Sequence, residues 1–197
     1  MDFEKLEKSF ARKGYTVSRF PTGEAAARHI ADQLAGRTVG IGGSMSVGET
    51  GLYEMLKDRS RVYWHLLDKT DEVMLAACGA PVYITSANAV SEDGCIVNID
   101  GRGNRLAGTL MKKEKVFFLV GANKIVSTLE AAIERARNVA APKNSARLGC
   151  KTPCAAAGRC YDCASPERIC SALLVLWQKP FWADEMELVV SDEPFGY

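Results

Sequence analysis

Five of the chain's seven cysteines lie in one short segment, CKTPCAAAGRCYDCASPERIC, which runs from Cys150 to Cys170. Within it, Cys160 and Cys163 have the C-x2-C spacing with which two thiolates chelate one metal from a tight turn. Charged residues interleave the cysteines, so the thiols do not share a continuous apolar face. The segment therefore predicts a metal site made by four of these five residues: Cys150, Cys154, Cys160, Cys163 and Cys170.

Two other uses of these thiols remain open from the spacing alone. They can be buried as small apolar groups, or two of them can form a disulfide, which a reducing compartment disfavours. Zinc held by four thiolates would be a structural clip, because it has no open coordination position and no redox chemistry. An iron–sulfur cluster of the 4Fe–4S type would instead carry electrons.

A glycine-rich loop, GIGGSMSVGETG from Gly40 to Gly51, follows the predicted strand TVGIG and precedes a predicted helix. Backbone amides in such a loop can converge on a phosphate or a carboxylate. The loop lacks the Gly-Lys-Ser/Thr of a Walker A motif and the later acid of a dinucleotide fingerprint, so no nucleotide is predicted. The alternative is a tight turn that needs glycine only for its backbone conformation.

The segment DGCIVNIDGRGNR places two Asp-Gly pairs around an apolar run. Asp93 and Asp100 can act as general bases or ligand acceptors, and Arg105 can grip an anion. The alternative is a pair of turns bounding an ordinary hairpin.

Lys124 directly follows KVFFLVG, the most apolar predicted strand, where open α/β sheets bind ligands. It can therefore face an anionic substrate, or be an ordinary exposed lysine.

The two histidines, His29 and His65, are isolated in sequence, so we expect structural roles for both. Tryptophans on apolar segments are expected in the core, and the chain has three: Trp64, Trp177 and Trp182.

A formal net charge of +1 without a run of basic and aromatic residues argues against nucleic acid as a partner. No window approaches the roughly 18 apolar residues of a membrane span, so the sequence predicts a cytoplasmic protein. It indicates no oligomeric state.

Apolar strands alternate with amphipathic helices along most of the 197 residues, which favours an α/β fold with a mainly parallel sheet. A chain of this length is enough for one α/β domain over residues 1–197 with an appendage. We expect an N-terminal helical region at residues 1–36 and an inserted cysteine-rich loop module at residues 140–170.

Two stretches, ITSANAVSEDGCIVNIDGRGNRLAG and VFFLVGANKIVSTLEAAIERARNVAAPKNSAR, resemble the LUD domain, the lactate-utilisation family, in its stand-alone form with a late cysteine cluster. That family is similar to ribose-5-phosphate isomerases, glucosamine-6-phosphate deaminases and CoA transferases. The resemblance implies a Rossmann-like sheet with a ligand crevice at the strand ends. By analogy with the isomerases, it assigns a phosphate loop to Gly42, Gly43, Ser44 and Ser46, an acid/base carboxylate to Asp93 or Asp100, and a glycine-rich turn to Gly101, Gly103 and Asn104.

LUD proteins act in operons that oxidise L-lactate to pyruvate beside subunits that carry iron–sulfur clusters. The resemblance therefore implies a protein that binds a small anionic metabolite, with Asn98 and Arg105 among the ligand-binding residues. The metabolite would be a hydroxy acid or a phosphorylated or CoA-linked compound, and the protein would take part in its oxidation. The same pathway slightly favours a 4Fe–4S cluster over zinc. Two alternatives stay open: a non-catalytic metal-bearing accessory protein for redox partner subunits, and a sugar-phosphate isomerase.

Overall fold

The structure, a computed structural model, describes all residues from Met1 to Tyr197. It contains ten strands, which are, in chain order, β1 (Thr16–Phe20), β2 (Thr38–Ile41), β3 (Arg61–Trp64), β4 (Val82–Thr85), β5 (Ala89–Ser91), β6 (Cys95–Asp100), β7 (Lys113–Gly121), β8 (Ile125–Val126), β9 (Ala172–Leu176) and β10 (Ala183–Ser191). The α-helices are α1 (Phe3–Arg12), α2 (Gly23–Asp32), α3 (Met45–Glu49), α4 (Leu52–Leu56), α5 (Asp71–Gly79), α6 (Asn104–Leu110), α7 (Leu129–Arg135), α8 (Ala141–Arg147) and α9 (Pro153–Ala157).

The larger sheet has six strands in the order β1-β10-β7-β4-β2-β3, and every neighbouring pair is parallel. This confirms the predicted α/β class with a mainly parallel sheet. Parallel sheets are covered on both faces, so their central strands carry continuous apolar runs. In β7 the five residues from Val116 to Val120 are all completely buried. Two separate hydrophobic clusters occupy the two faces of the sheet.

A smaller sheet has four strands in the order β8-β5-β6-β9. β5 and β6 form the antiparallel hairpin that the Asp-Gly pairs predicted, with a turn between Ser91 and Cys95. One face of this sheet contributes Val90 and Ile96 to the cluster that also contains residues of β7 and β10. The other face packs against α7 through Ala132. The hairpin is thereby held rigidly beside the larger sheet.

The carboxyl ends of three adjacent strands of the larger sheet lie side by side. β2 continues into Gly42 and Gly43, β4 into Ser86, and β7 into a short 3-10 turn that ends at Lys124. The end of β6 brings Asp100 and the start of α6 to the same edge. The parallel order of the strands explains why loops that are distant in sequence meet here.

One long helical stretch continues past a proline. The helix that begins at Leu129 passes through a π-helical turn, Ala136–Ala140, into α8. Pro142 lies in the first turn of α8, immediately after the π-helical turn; proline removes a helical hydrogen bond, and the π-helical turn lies where the regular hydrogen-bond pattern is interrupted. The helical path therefore extends to Arg147.

Two further expectations need correction or refinement. Trp64 is buried as expected, but Trp177 and Trp182 are 67% and 66% exposed, because the connection from β9 to β10 runs over the surface. The region at residues 1–36 contains an edge strand of the larger sheet, β1, between its two helices. None of the helices combines the length and apolarity needed to cross a bilayer.

Candidate functional site

A cavity of about 480 Å³ opens at the carboxyl edge of the larger sheet, next to the β6–α6 junction. We call it the central cavity. Its volume lies within the range typical of small-molecule sites. It brings together several residues that the sequence predicted for a ligand site: Gly43, Ser44, Ser46, Asp100, Gly101, Asn104, Arg105 and Lys124.

The charge of the central cavity is strongly unbalanced. Among the lining side chains, one is acidic, Asp100, and five are basic, which are Lys69, Arg102, Arg105, Lys124 and Arg147. A concave site lined by charges of one sign concentrates counter-ions, and its low-dielectric walls strengthen the attraction. The cavity is therefore built to attract anions.

Lys124 forms part of the buried wall of this cavity. Only 2% of the residue is exposed, and its Nζ donates hydrogen bonds to Ser46 Oγ at 2.5 Å and to Ser86 Oγ at 3.0 Å. No carboxylate forms a salt bridge with it. Burial, helped by the nearby Arg135 and Arg105 and opposed by Glu49, lowers the pKa of Lys124 to about 7. Near neutral pH the side chain is thus present both as an amine and as an ammonium ion.

Asp100 and Arg105 form a largely buried ion pair, with 9% and 15% of their side chains exposed. One oxygen of Asp100 accepts from the backbone N–H of Arg102 at 3.1 Å. The other accepts from the N–H of Arg105 at 3.0 Å and lies 3.3 Å from the Arg105 Nε. Arg105 also donates to the Ile99 carbonyl and to Asn98 Oδ1. In this geometry Asp100 holds the start of α6 and orients Arg105 towards the cavity.

His65 also lines the cavity, although its isolation in the sequence predicted a structural role. It directly follows β3, and Gly43 approaches it so closely that a Cβ there would lie 2.8 Å from the imidazole. Burial is the main reason that the pKa of His65 is lowered. The positive charges of Arg102 and Arg105 lower it further, and the negative charge of Asp100 partly opposes this. The ring is therefore neutral at neutral pH. The rule that selected Lys124, a polar residue directly after a buried strand, would also have found His65.

Four predicted residues lie outside the cavity lining. Asn98 lies behind Arg105, where its side chain bonds the backbone of Ser86 and Asn88. Gly42 packs behind the loop, and Gly103 has a φ of +83°, which lets the chain turn into α6. Asp93 is exposed at the opposite end of the β5–β6 hairpin, where its carboxylate accepts from the Ser91 hydroxyl. The structure does not bring Asp93 to the ligand site.

The cysteine segment lies partly against the central cavity, because Cys150 is one of its lining residues. Cys170 packs on the apolar cluster between β6 and α7, while the Sγ of Cys160 is close to Arg137. All five thiols are half-buried and free. No group of three or more cysteine, histidine or acidic side chains has an arrangement that could hold a metal ion. The thiols therefore do not lie close enough together in this structure to form a four-thiolate group. The metal site stays a prediction from the sequence.

Anaerobic purification tests this prediction. We expect stoichiometric iron with sulfide, or zinc, in the wild-type protein and a loss of that metal in Cys163→Ser, because a C-x2-C pair supplies half of a four-thiolate site. Cys78→Ser, which changes a buried cysteine outside the segment, serves as the matched control. Substoichiometric iron and zinc, together with unchanged stability of Cys163→Ser, would defeat the metal site.

Comparisons with known proteins identify the family. The chain has the fold of a duf162 family protein from Deinococcus radiodurans, known from a crystal structure at 1.70 Å resolution, with a TM-score of 0.57. The two chains are 16% identical, and the match covers 96% of this chain and 95% of the other. No curated protein sequence matches significantly. The family model described as the LUD domain matches residues 3–190. The chain therefore belongs to the LUD domain family.

Proposed function

We propose that the central cavity binds a small anionic metabolite and that the protein takes part in the oxidation pathway of that metabolite. The observation that carries the binding proposal is the excess of five basic side chains over one acidic side chain. The carboxylate, Asp100, is itself paired with Arg105, so its charge does not offset the remaining cations. The candidates are a hydroxy acid and a phosphorylated or CoA-linked compound. The pathway rests on membership of the lactate-utilisation family.

The unpaired ammonium of Lys124 strengthens the case for an anionic ligand. Burying a charge without a partner is costly, so buried lysines are normally paired. Lys124 has only hydroxyl partners, and a bound anion would supply the missing negative charge. At the more exposed parts of the cavity, Arg102 and Arg147 can hold a second anionic group. A dianionic ligand therefore matches the cavity better than a monoanion.

The same groups define the chemistry that the site can perform. Lys124 can accept a proton near neutral pH, which is the requirement for a general base, and His65, whose pKa is lowered, is a weaker base in the same cavity. A sugar-phosphate isomerase with a carboxylate base would need a free aspartate, and both oxygens of Asp100 are engaged. Proton transfer next to an anionic group is the reaction class that these residues support.

Calorimetric titration with inorganic phosphate and with L-lactate tests the binding proposal. We expect Arg102→Ala and Arg147→Ala each to weaken binding about tenfold, since a hydrogen bond to a charged group contributes about 1.5 kcal/mol or more. Both side chains are exposed, so stability should change by only about 0.5 kcal/mol. Arg61→Ala is the control, because Arg61 lies at the amino end of β3, whereas the cavity lies at the carboxyl ends of the strands. Unchanged affinity in both cavity variants would contradict the proposal.

A further inference from the structure

We propose that Lys124 is a covalent nucleophile, which forms an imine with a carbonyl compound that also bears a carboxylate or a phosphate. This inference rests on the proposed function, because the basic residues of the central cavity supply the anion subsite. It adds a chemical step that anion binding does not require. It also defines the substrate class by two groups, an anion and an aldehyde or ketone.

A comparison of two buried lysines shows what distinguishes Lys124. Lys113 is 1% exposed, but its Nζ donates to the backbone carbonyls of Cys78 and Lys112, and it does not line the cavity. Burial lowers the pKa of Lys113 as well, but carbonyl oxygens only accept, so its partners favour the ammonium form. The partners of Lys124 are the hydroxyls of Ser46 and Ser86, which both donate and accept. Lys124 can therefore lose a proton without losing its hydrogen bonds.

The surroundings of Lys124 also favour the neutral, nucleophilic amine. Burial is the largest cause of its lowered pKa of about 7, and the positive charges of Arg135 and Arg105 act in the same direction. Desolvation of a lysine beside other cationic groups is a known way of activating it as a nucleophile for carbonyl substrates. The amine is present at physiological pH, and it lies in the wall of a cavity that attracts anions.

The proposed step balances without an oxidant or a reductant. The Nζ lone pair forms a bond to the carbonyl carbon, while the π electrons of the carbonyl move to its oxygen, which takes up a proton. That proton is the one that the nitrogen loses, and a second proton, taken up from solvent, lets the hydroxyl depart as water and leaves the protonated imine. Ser46 and Ser86, which are hydrogen-bonded to Nζ, can pass the first proton from nitrogen to oxygen. The anionic group of the substrate is held by Arg102 and Arg147 during the exchange.

Borohydride trapping followed by peptide mass mapping tests the proposal, because borohydride reduces an imine to a stable secondary amine. The probes are 2-oxoglutarate and dihydroxyacetone phosphate, which distinguish a carboxylate from a phosphate as the anionic group. We expect a reduced adduct on Lys124 with at least one probe. Lys113 and the exposed Lys69 should stay unmodified. Acetone has no anionic group, and L-lactate has no aldehyde or ketone, so neither should give an adduct.

Two variants and one binding measurement decide between the outcomes. Lys124→Arg should lose the adduct, whereas Lys113→Arg should keep it; mapping of the wild-type protein identifies the lysine even if a variant fails to fold. Absence of a Lys124 adduct from both probes, while calorimetry shows that they bind, overturns the covalent step and leaves anion binding intact. If neither probe binds, the proposed function fails as well. An adduct only at Lys69 also overturns the inference.

Discussion

Replacing Arg105 with alanine should lower the affinity of the central cavity for anions about 100-fold, because it removes a charged hydrogen-bond donor and a positive charge. The same change should destabilise the fold by about 3 kcal/mol, since it leaves the buried carboxylate of Asp100 without its partner. The ion pair is largely buried, so its loss costs more than the roughly 0.5 kcal/mol typical of an exposed loop substitution. Calorimetry and urea unfolding measure the two effects.

A double variant separates binding from stability. Asp100→Ala combined with Arg105→Ala removes both partners of the buried pair, so part of the lost stability should return. Anion binding should not return, because the double variant still lacks the Arg105 guanidinium. Arg105→Lys keeps the charge but loses the planar fork that reaches Ile99 and Asn98, so its affinity should be intermediate. Wild-type affinity in Arg105→Ala would remove Arg105 from the binding site.

Replacing Lys124 with methionine should stabilise the protein by about 4 kcal/mol more at pH 6 than at pH 10. The pKa of Lys124 is about 7 in the folded protein, against an ordinary value of 10.5. Between these values the unfolded chain binds the extra proton, so wild-type stability rises with pH. Below pH 7 the folded protein must bury an ammonium ion, and methionine removes that cost.

Urea unfolding of the wild type and Lys124→Met at several pH values measures this difference. Lys69→Met, which changes an exposed lysine of the same cavity, provides the matched control and should show no comparable pH-dependent gain. If the stability profiles of the wild type and Lys124→Met run parallel between about pH 6 and pH 10, the buried amine does not titrate near neutrality.

The sequence predicted the parts of the fold and the site that depend on local patterns. Apolar runs such as the one in β7 identify buried parallel strands, because both faces of such a strand are covered. The glycine loop and Lys124 were placed at strand ends, and parallel strands necessarily bring their carboxyl ends to one edge. The convergence of Ser46, Asp100 and Lys124 on one cavity follows from that topology.

Other features depend on tertiary contacts that no local pattern carries. Asp93 and Asp100 belong to identical Asp-Gly pairs, yet an antiparallel hairpin places them at opposite ends, so only Asp100 reaches the cavity. The burial of Arg105 depends on Asn98 and Ile99 from the preceding strand. Trp177 and Trp182 continue an apolar strand in sequence, but the connection beyond β9 lies on the surface.

The most direct test of the central claim is an NMR titration of the protein with 15N-labelled lysine side chains, with and without saturating 2-oxoglutarate or phosphate. We predict that Lys124 titrates near pH 7 in the free protein. A bound anion should raise that pKa, because a nearby negative charge favours the ammonium form. Phosphate has no aldehyde or ketone and cannot form an imine, so its effect on the pKa of Lys124 reports on anion binding alone. A Lys124 pKa near 10.5 that neither anion changes would contradict the assignment of the central cavity as an anion-binding site.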